Sequence, residues 1–526
     1  MKNVITNAAE ITVLRPIDYE TYKTGGGPVS VGATVVEAPK GLPLRVLRVT
    51  QQNWQSILGK PFSKKVGGSK MEGLRHLADA LRDCNYVNVV RVVGAGALFP
   101  HLTLSKAGVV APGASAFGTS MVAGDTETLA IYIVDGDKSA NRKLLITCDD
   151  TTKRATITLF DEDENGDDYV LERHVVGVDV ADTDDMGQNA FIETVLERDS
   201  TCLRCDYNED VIWDAFVEDV ESGFEAGEPA VATPVAFAGG SDGGVPDTED
   251  FDAAWDLFRN ESVACDLMFA AGVADEDVLS NCIDIAELRH CTFLFDVSSS
   301  IKHDAAITWL DAAGLDSRQA KAYHSPFAAN DPYYGGKAVW GVSGEMASAH
   351  ARGDQNFTGA VPGIHYAAAG EKRARLQRTG VVALFPDDIL DRDALYTSRI
   401  NPIIVSGSGG AVCDDDLALY HQENYSRFGW VNRILNYIDH RFVQAARAAK
   451  FEPDGLTYKI LYRLTKEIME DLVTSGALVK PRDESYGESP YIIEIEQLEI
   501  DLWQVTWKIC PTGAARRIAG QPWLIK

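Results

Sequence analysis

One serine stands in a pattern that hydrolases use. Residues 239–243 read Gly-Gly-Ser-Asp-Gly and match G-x-S-x-G, the sharp turn that exposes a nucleophilic serine, here Ser241. Such a turn runs directly into a helix, whereas Gly244, Val245 and Pro246 follow here, and no histidine stands in an obviously paired context. A glycine-rich turn is the favoured interpretation, and an α/β hydrolase-like enzyme is the alternative.

A second motif has the spacing of a calcium-binding loop. Asp161, Asp163, Asn165 and Glu172, with Gly166 among them, satisfy the pattern D-x-[DN]-x-[DN]-G-x5-E. Carboxylates at alternate positions can converge on a hard cation while the glycine turns the chain sharply. The flanking sequence is strand-like rather than helical, so a solvent-exposed hairpin turn is favoured and a calcium-binding surface or adhesion protein is the alternative.

Three weaker signals complete the candidate chemistry. Cys202 and Cys205 form a lone CxxC, without the second pair or the histidines that zinc needs. Gly94 and Gly96 follow an apolar run but lack the third glycine of a dinucleotide-binding turn. Asp296 ends an apolar run, where α/β folds often place ligands, but capping a helix is the commoner role. No catalytic residue, metal or cofactor is therefore assigned, and we expect a protein that is not an enzyme.

Composition and charge narrow the class of protein. At about 150 residues per domain, 526 residues predict three to four domains. The net charge of −29 excludes a dedicated nucleic-acid binder, which needs a basic face. Residues 101–250 hold 33 Asp/Glu against 9 Lys/Arg, so this block carries −24 and the rest is nearly neutral. Scattered cysteines and the lack of an 18-residue apolar window, about the length of a membrane span, predict a reduced cytoplasmic chain without a membrane anchor.

The elements that position these residues alternate along much of the chain. Residues 74–81 have helical spacing before the apolar run 86–93, and later apolar strands stand between helical stretches near 248–260, 275–290 and 301–313. This alternation predicts a mainly parallel, doubly wound α/β layer. Residues 97–230 instead form short alternating stretches between Asp, Gly and Asn turns, which predicts an inserted acidic antiparallel β domain.

The last third of the chain predicts an α+β domain. The apolar face of its first helix is formed by Phe428, Val431, Leu435, Ile438 and Phe442. Arg433 and Arg447 fall on the opposite face of that helix. A second helix, 457–475, ends at Gly476, and the alternation of residues 503–509 predicts a strand.

Both ends of the chain predict extended arms, because each carries a short strand with no neighbour in the sequence. The arm strands contain Ile11, Val13 and Leu14 at one end and Trp523, Leu524 and Ile525 at the other. The predicted organisation is an N-terminal arm and hinge (1–27), an α/β domain in two parts (28–96 and 231–375), the insertion (97–230), the C-terminal α+β domain (376–512) and a C-terminal arm (513–526).

The order of several short segments resembles the contractile tail sheath proteins of bacteriophages over most of the chain. The segments are 237–243 (FAGGSDG), 295–296 (FD), 342–354 (VSGEMASAHARGD), 424–435 (NYSRFGWVNRIL), 450–454 (KFEPD) and 476–478 (GAL). They are similar to the family's GGxDG turn, its SGxxAGxxAR-D segment and its helical C-terminal signature. The family's Pro-Gly-Val-Tyr opening is absent and the last strand differs from the usual type, so the register of the arms is not carried over.

The resemblance implies a structural subunit of a virion tail, assembled in the host cytoplasm. The subunit would polymerise into a helical tube around the inner tail tube, contract to drive that tube through the host envelope, and contact tail tube, baseplate and tail terminator proteins. The arms would cross to neighbouring subunits and complete a sheet in the C-terminal domain, which the two unpaired end strands permit by strand addition. Arg433 and Arg447 would be candidates to face the inner tube. The family's α/β layer is called subtilisin-like, which describes a shape and not an activity.

Overall fold

The computed structural model describes residues 30–116, 126–134, 142–162, 166–226, 230–405, 410–517 and 521. The chain divides into two compact units. The larger contains Ser30–Arg352 and Tyr366–Arg433, and the chain returns to it at Ala514. The smaller contains Gly353–His365 and Ile434–Gly513. No helix within the described ranges is long and apolar enough to cross a membrane.

A sheet of eight strands forms the centre of the larger unit. Its members, numbered along the chain, are β1 (Val31–Glu37), β2 (Val46–Val49), β3 (Tyr86–Val92), β14 (Leu267–Phe269), β15 (Thr292–Val297), β16 (Ala320–His324), β20 (Ile400–Val405) and β21 (Ala411–Cys413). They lie in the order β2-β3-β1-β14-β15-β16-β20-β21. All neighbours from β3 to β20 pair in parallel, and only the two edge strands pair antiparallel. The predicted mainly parallel α/β sheet is confirmed.

Helices cover both faces of this sheet, because successive side chains of a buried strand point in opposite directions. Val35 belongs to the core on one face and Val36 to the core on the other. The helices of the first face are α5 (Thr248–Asp256), α6 (Glu276–Arg289) and α7 (His303–Ala313). Those of the second face are α1 (Trp54–Leu58), α2 (Gly68–Ala80) and α8 (Ser343–Asp354). The predicted helices at α2, α5, α6 and α7 are confirmed.

Several short elements complete the larger unit around this sheet. They are the helices α9 (Gly370–Arg373) and α10 (Arg392–Thr397) and a three-stranded sheet of β17 (Phe327–Asn330), β18 (Lys337–Ala338) and β19 (Val382–Ala383). Leu395 of α10 joins the core of the first face, and Phe327 of β17 joins that of the second. These pieces therefore extend the two cores, and Ala329 of β17 and Ala338 of β18 also form a small core of their own with Trp340.

Between β3 and α5 the chain forms an antiparallel β module. Its two four-stranded sheets have the orders β10-β6-β4-β5 and β13-β7-β8-β9. The strands are β4 (Leu98–Ser105), β5 (Val110–Ala116), β6 (Glu127–Ile133), β7 (Lys143–Asp149), β8 (Arg154–Glu162), β9 (Asp168–Val176), β10 (Leu203–Tyr207) and β13 (Val235–Ala236). Helices α3 (Ile192–Asp199) and α4 (Trp213–Phe224) and the short pair β11 (Glu225–Ala226) and β12 (Val231–Ala232) complete the module.

The module has the predicted antiparallel pairing and differs from the prediction in two respects. Helices α3 and α4 were not predicted, although Trp213, Phe216, Val217, Val220 and Phe224 recur at helical spacing. Pairing of β13 with β7 also carries the module past residue 230. A two-residue strand is too short to show alternation, so periodicity could not predict this extension.

The smaller unit combines two long helices with one hairpin. Its elements are α11 (Gly429–Ala449), which enters it at Ile434, α12 (Asp454–Thr474), β22 (Tyr491–Gln497) and β23 (Trp503–Ile509). Ile434, Ile438, Met469 and Leu472 form the centre of its core. Gly476 follows α12 with a φ of 81°, and the amide of Ala477 donates to the carbonyl of Leu472 at 2.9 Å. The predicted glycine end of this helix is confirmed.

The predicted start of the C-terminal domain at residue 376 needs correction. Strands β20 and β21 complete the large parallel sheet, and the smaller unit takes up the chain only at Ile434. The strand β20 contains Pro402 and pairs with β16, which lies far away in the sequence. Local periodicity does not indicate pairing with a distant strand. Residues 376–433 were therefore predicted in the C-terminal domain, although they belong to the larger unit.

Candidate functional site

The hairpin of the smaller unit has two open edges. Its strands pair antiparallel along their whole length, from Tyr491 opposite Ile509 to Gln497 opposite Trp503. Among the described residues no third strand joins either of them. One side packs on the two long helices, where Trp507 contacts the core. A two-stranded sheet is marginal by itself, and its unpaired N–H and C=O groups are a template for further strands.

Apolar side chains lie exposed around this hairpin. Those at least 40% exposed on the hairpin and in its turn are Ile492, Leu498, Ile500 and Leu502. On α12, Tyr458 and Tyr462 stack with their ring centroids 6.2 Å apart. The ring centroid of Tyr458 lies 6.4 Å from that of Trp503 on the hairpin. Apolar surface beside open strand edges is typical of a region that an assembly covers.

The arm strands predicted at the two ends of the chain lie outside the described residues. This applies to Ile11, Val13, Leu14, Trp523, Leu524 and Ile525. Their pairing partners therefore stay a prediction, and the two hairpin edges are our candidate acceptors in the described part of the chain.

Arg516 binds the start of the C-terminal segment to the larger unit. Its Nε donates to Asp415 Oδ1 at 2.7 Å, and its Nη2 donates to Asp415 Oδ2. The guanidinium lies 5.0 Å from the ring centroid of Tyr396 and 5.7 Å from that of Phe428. The hydrogen bonds to Asp415 raise the pKa of Arg516, which therefore stays charged. No spacing in the sequence connects residues 415 and 516, so this contact was not foreseen.

The predicted exposure of Arg433 is wrong, whereas Arg447 is exposed as predicted. Arg433 is only 7% exposed, and its Nη1 lies 3.3 Å from Nδ1 of the buried His350. The helical wheel assumed one apolar face, but the first turns of α11 are buried on all sides. Arg447 stands on the last turn of α11 and is exposed. Contact of either side chain with a tube stays a prediction, and burial of Arg433 leaves Arg447 as the candidate.

No family model and no curated protein matches the chain. The crystal structure of the sheath tail protein from Desulfitobacterium hafniense aligns with a TM-score of 0.50 and 11% identity, covering 95% of this chain and 100% of that one. The chain has the fold of a tail sheath protein.

Two further structures are similar over a smaller part of the chain. The sheath complex of an extracellular contractile injection system in its contracted state aligns with a TM-score of 0.42 and 16% identity, covering 56% of this chain and 76% of that one. The baseplate of the anti-feeding prophage aligns with a TM-score of 0.40 and 16% identity, covering 56% of this chain and 77% of that one.

The GGSDG segment of this sheath fold closes the base of the inserted module. A Cβ on Gly94 would lie 2.2 Å from the carbonyl oxygen of Gly244, so the two glycine-rich stretches pack backbone to backbone. Asp242 accepts a hydrogen bond at 3.1 Å from Arg91, whose side chain is 1% exposed. Leu98 and Ser241 exchange two backbone hydrogen bonds of 2.7 Å. The chain therefore leaves the α/β part and returns to it at one place, where the two backbone segments pair and pack closely.

The second signature segment of the sheath fold is held by Asp296. Its two carboxylate oxygens accept hydrogen bonds from the amides of Val342 at 2.6 Å and Ser343 at 2.8 Å, at the start of α8. A Cβ on Gly341 would lie 2.3 Å from the carboxyl carbon of Asp296. The capping role favoured for Asp296 is confirmed. Within the segment, a Cβ on Gly344 would lie 2.1 Å from the carbonyl oxygen of His76, whereas a Cβ on Gly353 would meet nothing within 4 Å.

The third signature segment of the sheath fold surrounds a buried ion pair. Lys321 Nζ donates to Asp416 Oδ1 at 2.5 Å, with both side chains 1% exposed. Gly429 lies so close that a Cβ there would stand 2.2 Å from Lys321 Nζ. His350 lies 3.2 Å from the same nitrogen, and burial, Lys321 and Arg433 together place the pKa of His350 well below its ordinary value. His350 therefore stays neutral between two cations.

Ser241 does not have the surroundings of a nucleophile. Its Oγ accepts a hydrogen bond of 3.3 Å from the amide of Gly243, and its backbone is paired with Leu98. The following helix, α5, begins only at Thr248. Within the described ranges no histidine bonds to this hydroxyl. The favoured glycine-rich turn is confirmed at this position.

The calcium-loop motif spans a β-hairpin. Asp161 lies on β8 and Glu172 on β9, and the strands pair from Glu162 opposite Asp168 onwards. Asp163 and Asn165 lie outside the described residues. Burial would raise the pKa of Glu172, but hydrogen bonds from His174, Ser200 and Thr201 outweigh it and lower the pKa to about 2.

These bonds account for the conformation of Glu172, and the rest of the motif stays a prediction. The Glu172 carboxylate already accepts hydrogen bonds from Ser200 Oγ at 2.5 Å and from the amide of Thr201 at 3.0 Å. Strands rather than helices flank the turn, so an EF-hand geometry is not formed here. Over the described part of the chain, no group of three or more His, Cys, Asp or Glu side chains could hold a metal ion. Cys202 and Cys205 are both buried, and within the described residues neither forms a disulfide.

Proposed function

We propose that the chain is the subunit of a contractile tail sheath, which polymerises into a helical tube around an inner tube. The observation that carries the proposal is the open two-stranded sheet of the smaller unit, in a chain that has a sheath fold. Strands from other subunits would pair with Tyr491–Gln497 and Trp503–Ile509. A contact that every subunit repeats without closing generates a helical tube.

The two terminal arms supply the added strands in this proposal. Ile11, Val13 and Leu14 belong to one arm, and Trp523, Leu524 and Ile525 to the other. Their apolar side chains match the apolar surface around the hairpin, including Tyr458, Tyr462 and Trp503. Arms of this kind tether subunits while the subunits move, so the lattice survives contraction.

Contraction needs stored energy rather than catalysis in this scheme. The extended array would be metastable and relax to a shorter, wider one when a baseplate triggers it, with the difference residing in contacts between subunits. The force would drive the inner tube of a phage tail through the host envelope. Arg447, exposed on the last turn of α11, is our candidate to face that tube. Tail terminator and baseplate proteins would bound the tube at its ends.

Removal of one arm at a time tests the proposal. Deletion of residues 1–20, or of residues 518–526, should leave a folded monomer that no longer polymerises, because each deletion removes one of the added strands. Sedimentation would separate polymer from monomer, and far-UV circular dichroism would verify the fold. Tubes formed by either deletion variant would refute the arm assignment.

A further inference from the structure

The place where the C-terminal segment is fixed decides which residues can reach a neighbouring subunit. Gly513 is the last residue of the smaller unit, and Ala514 is the first residue of the segment that returns to the larger one. Arg516 donates two hydrogen bonds to the carboxylate of Asp415, and their side chains are only 23% and 17% exposed. A bidentate ion pair that is largely shielded from solvent is stronger than a hydrogen bond between neutral groups.

The backbone that presents Asp415 is itself fixed by the core. The next residue, Asp416, accepts hydrogen bonds from Lys321 Nζ at 2.5 Å, through Oδ1, and from the amide of Ala368 at 3.1 Å, through Oδ2. Its carbonyl accepts the amide of Gly429 at 3.0 Å. Three segments of the larger unit thus hold the loop on which Asp415 stands, so the carboxylate is positioned before Arg516 arrives.

Aromatic rings complete the binding site of the Arg516 guanidinium. Arg516 lies over Tyr396 and Phe428, and Phe428 stacks on Trp430 with ring centroids 4.8 Å apart and planes at 15°. A planar guanidinium stacks on such rings while it keeps its in-plane hydrogen bonds, which an ammonium group cannot do. The adjacent Arg517 is exposed. The site therefore selects one of two neighbouring arginines.

We propose that Arg516 anchors the C-terminal segment to its own subunit, so that residues 514–517 stay in place and only residues after 517 exchange with a neighbour. The exchange rests on the proposed function, whereas the anchor is a property of the single chain. The anchor gives the exchanged strand a fixed point of departure, and force on that strand would then be transmitted to the Lys321–Asp416 pair in the core of the larger unit.

Trypsin cleavage after Arg517 tests the anchor in the full-length protein, at a concentration where it is monomeric. The protease needs an extended substrate, so residues around 517 must leave the surface before cleavage. Asp415→Asn and Arg516→Gln should each raise the rate of appearance of the new N-terminus at residue 518 by about tenfold, since hydrogen bonds between charged groups are lost. Asp414→Asn is the matched control, because Asp414 pairs with Arg392 instead. It should cleave at the wild-type rate.

The outcomes separate the anchor from the proposed function. Equal cleavage rates for the wild type and Asp415→Asn, with both folded by circular dichroism, would overturn the anchor even if tubes form. Faster cleavage of both variants in a protein that never forms tubes would support the anchor and contradict the sheath proposal. In assembled tubes, the wild type should retain slow cleavage at this bond and the two variants should not.

Discussion

Two buried histidines make the larger unit sensitive to acid. His303 and His324 lie with their Nδ1 atoms 2.9 Å apart, and His324 Nε2 lies 3.1 Å from the carbonyl oxygen of Ile301. If Nε2–H of His324 donates to that carbonyl, its Nδ1 must accept from His303, and the ring of His324 is neutral. Burial first, and the neighbouring His303 second, lower the pKa of His324 to about 4.

The stability of the protein should therefore fall as the pH is lowered from about 6.5 to about 4. The unfolded chain binds a proton at its ordinary histidine pKa, while the folded chain resists it, so protonation favours unfolding across this window. His324 alone should contribute about 3 kcal/mol to this loss. Denaturant titrations at pH 7 and pH 4.5 would measure the free energy of unfolding.

A substitution separates the contribution of His324 to the pH dependence of stability from the contribution of the carboxylates, which also titrate in this range. His324→Gln keeps an acceptor but does not titrate, so this variant should lose less stability between the two pH values than the wild type. The exposed His421 provides the control, and His421→Gln should retain the wild-type pH dependence. Identical pH dependence in His324→Gln and the wild type would contradict the assignment.

The close backbone packing of Gly94 against Gly244, at the base of the inserted module, depends on glycine. We call this contact the clamp. Gly94→Ala would place a Cβ against the backbone of Gly244, which cannot rotate away. We expect a destabilisation of about 3 kcal/mol. Gly455→Ala is the control, because a Cβ there meets nothing within 4 Å and the residue lies in the first turn of α12. Its stability should equal or slightly exceed that of the wild type. Equal stabilities of the Gly94 and Gly455 variants would rule out the clamp.

Periodicity predicted the elements whose partners lie nearby or whose apolar runs are continuous. Burial on both faces of the sheet makes its strands uniformly apolar, so β3 and β15 could be predicted. Each helix that covers the sheet carries one apolar stripe at helical spacing, so α2 and α6 could be predicted as well. The strand β22 was missed, although Tyr-Ile-Ile-Glu-Ile-Glu alternates from residue 491. Arg433 was misplaced and Arg516 overlooked because each depends on a partner that is distant in the sequence. Side-chain pairing across a fold leaves no local pattern.

At the scale of the whole molecule, the acidic charge belongs to a module that the chain enters and leaves at one point. Leu98 and Ser241 form an antiparallel pair, so a two-residue turn could join them directly. Replacing residues 99–240 by Asn-Gly would remove most of the net charge and keep the contact between Arg91 and Asp242. The shortened chain should fold around the eight-stranded sheet and still assemble.

Assembly of this shortened chain should need less salt than assembly of the wild type. Like charges on neighbouring modules repel over a Debye length of about 10 Å at 0.1 M salt, and the excision removes that repulsion. Light scattering against sodium chloride concentration would measure the difference. A shortened chain that folds but never assembles would instead place the module in the lattice contacts.

Electron microscopy of the purified full-length protein, with helical reconstruction of any tubes, would show whether the protein assembles as a sheath. We predict tubes in which the hairpin of β22 and β23 gains a strand from another subunit at each edge. Dispersed monomers at high concentration, with and without an inner tube protein, would contradict the sheath proposal. Tubes in which this sheet remains two-stranded would contradict its role as the joint between subunits.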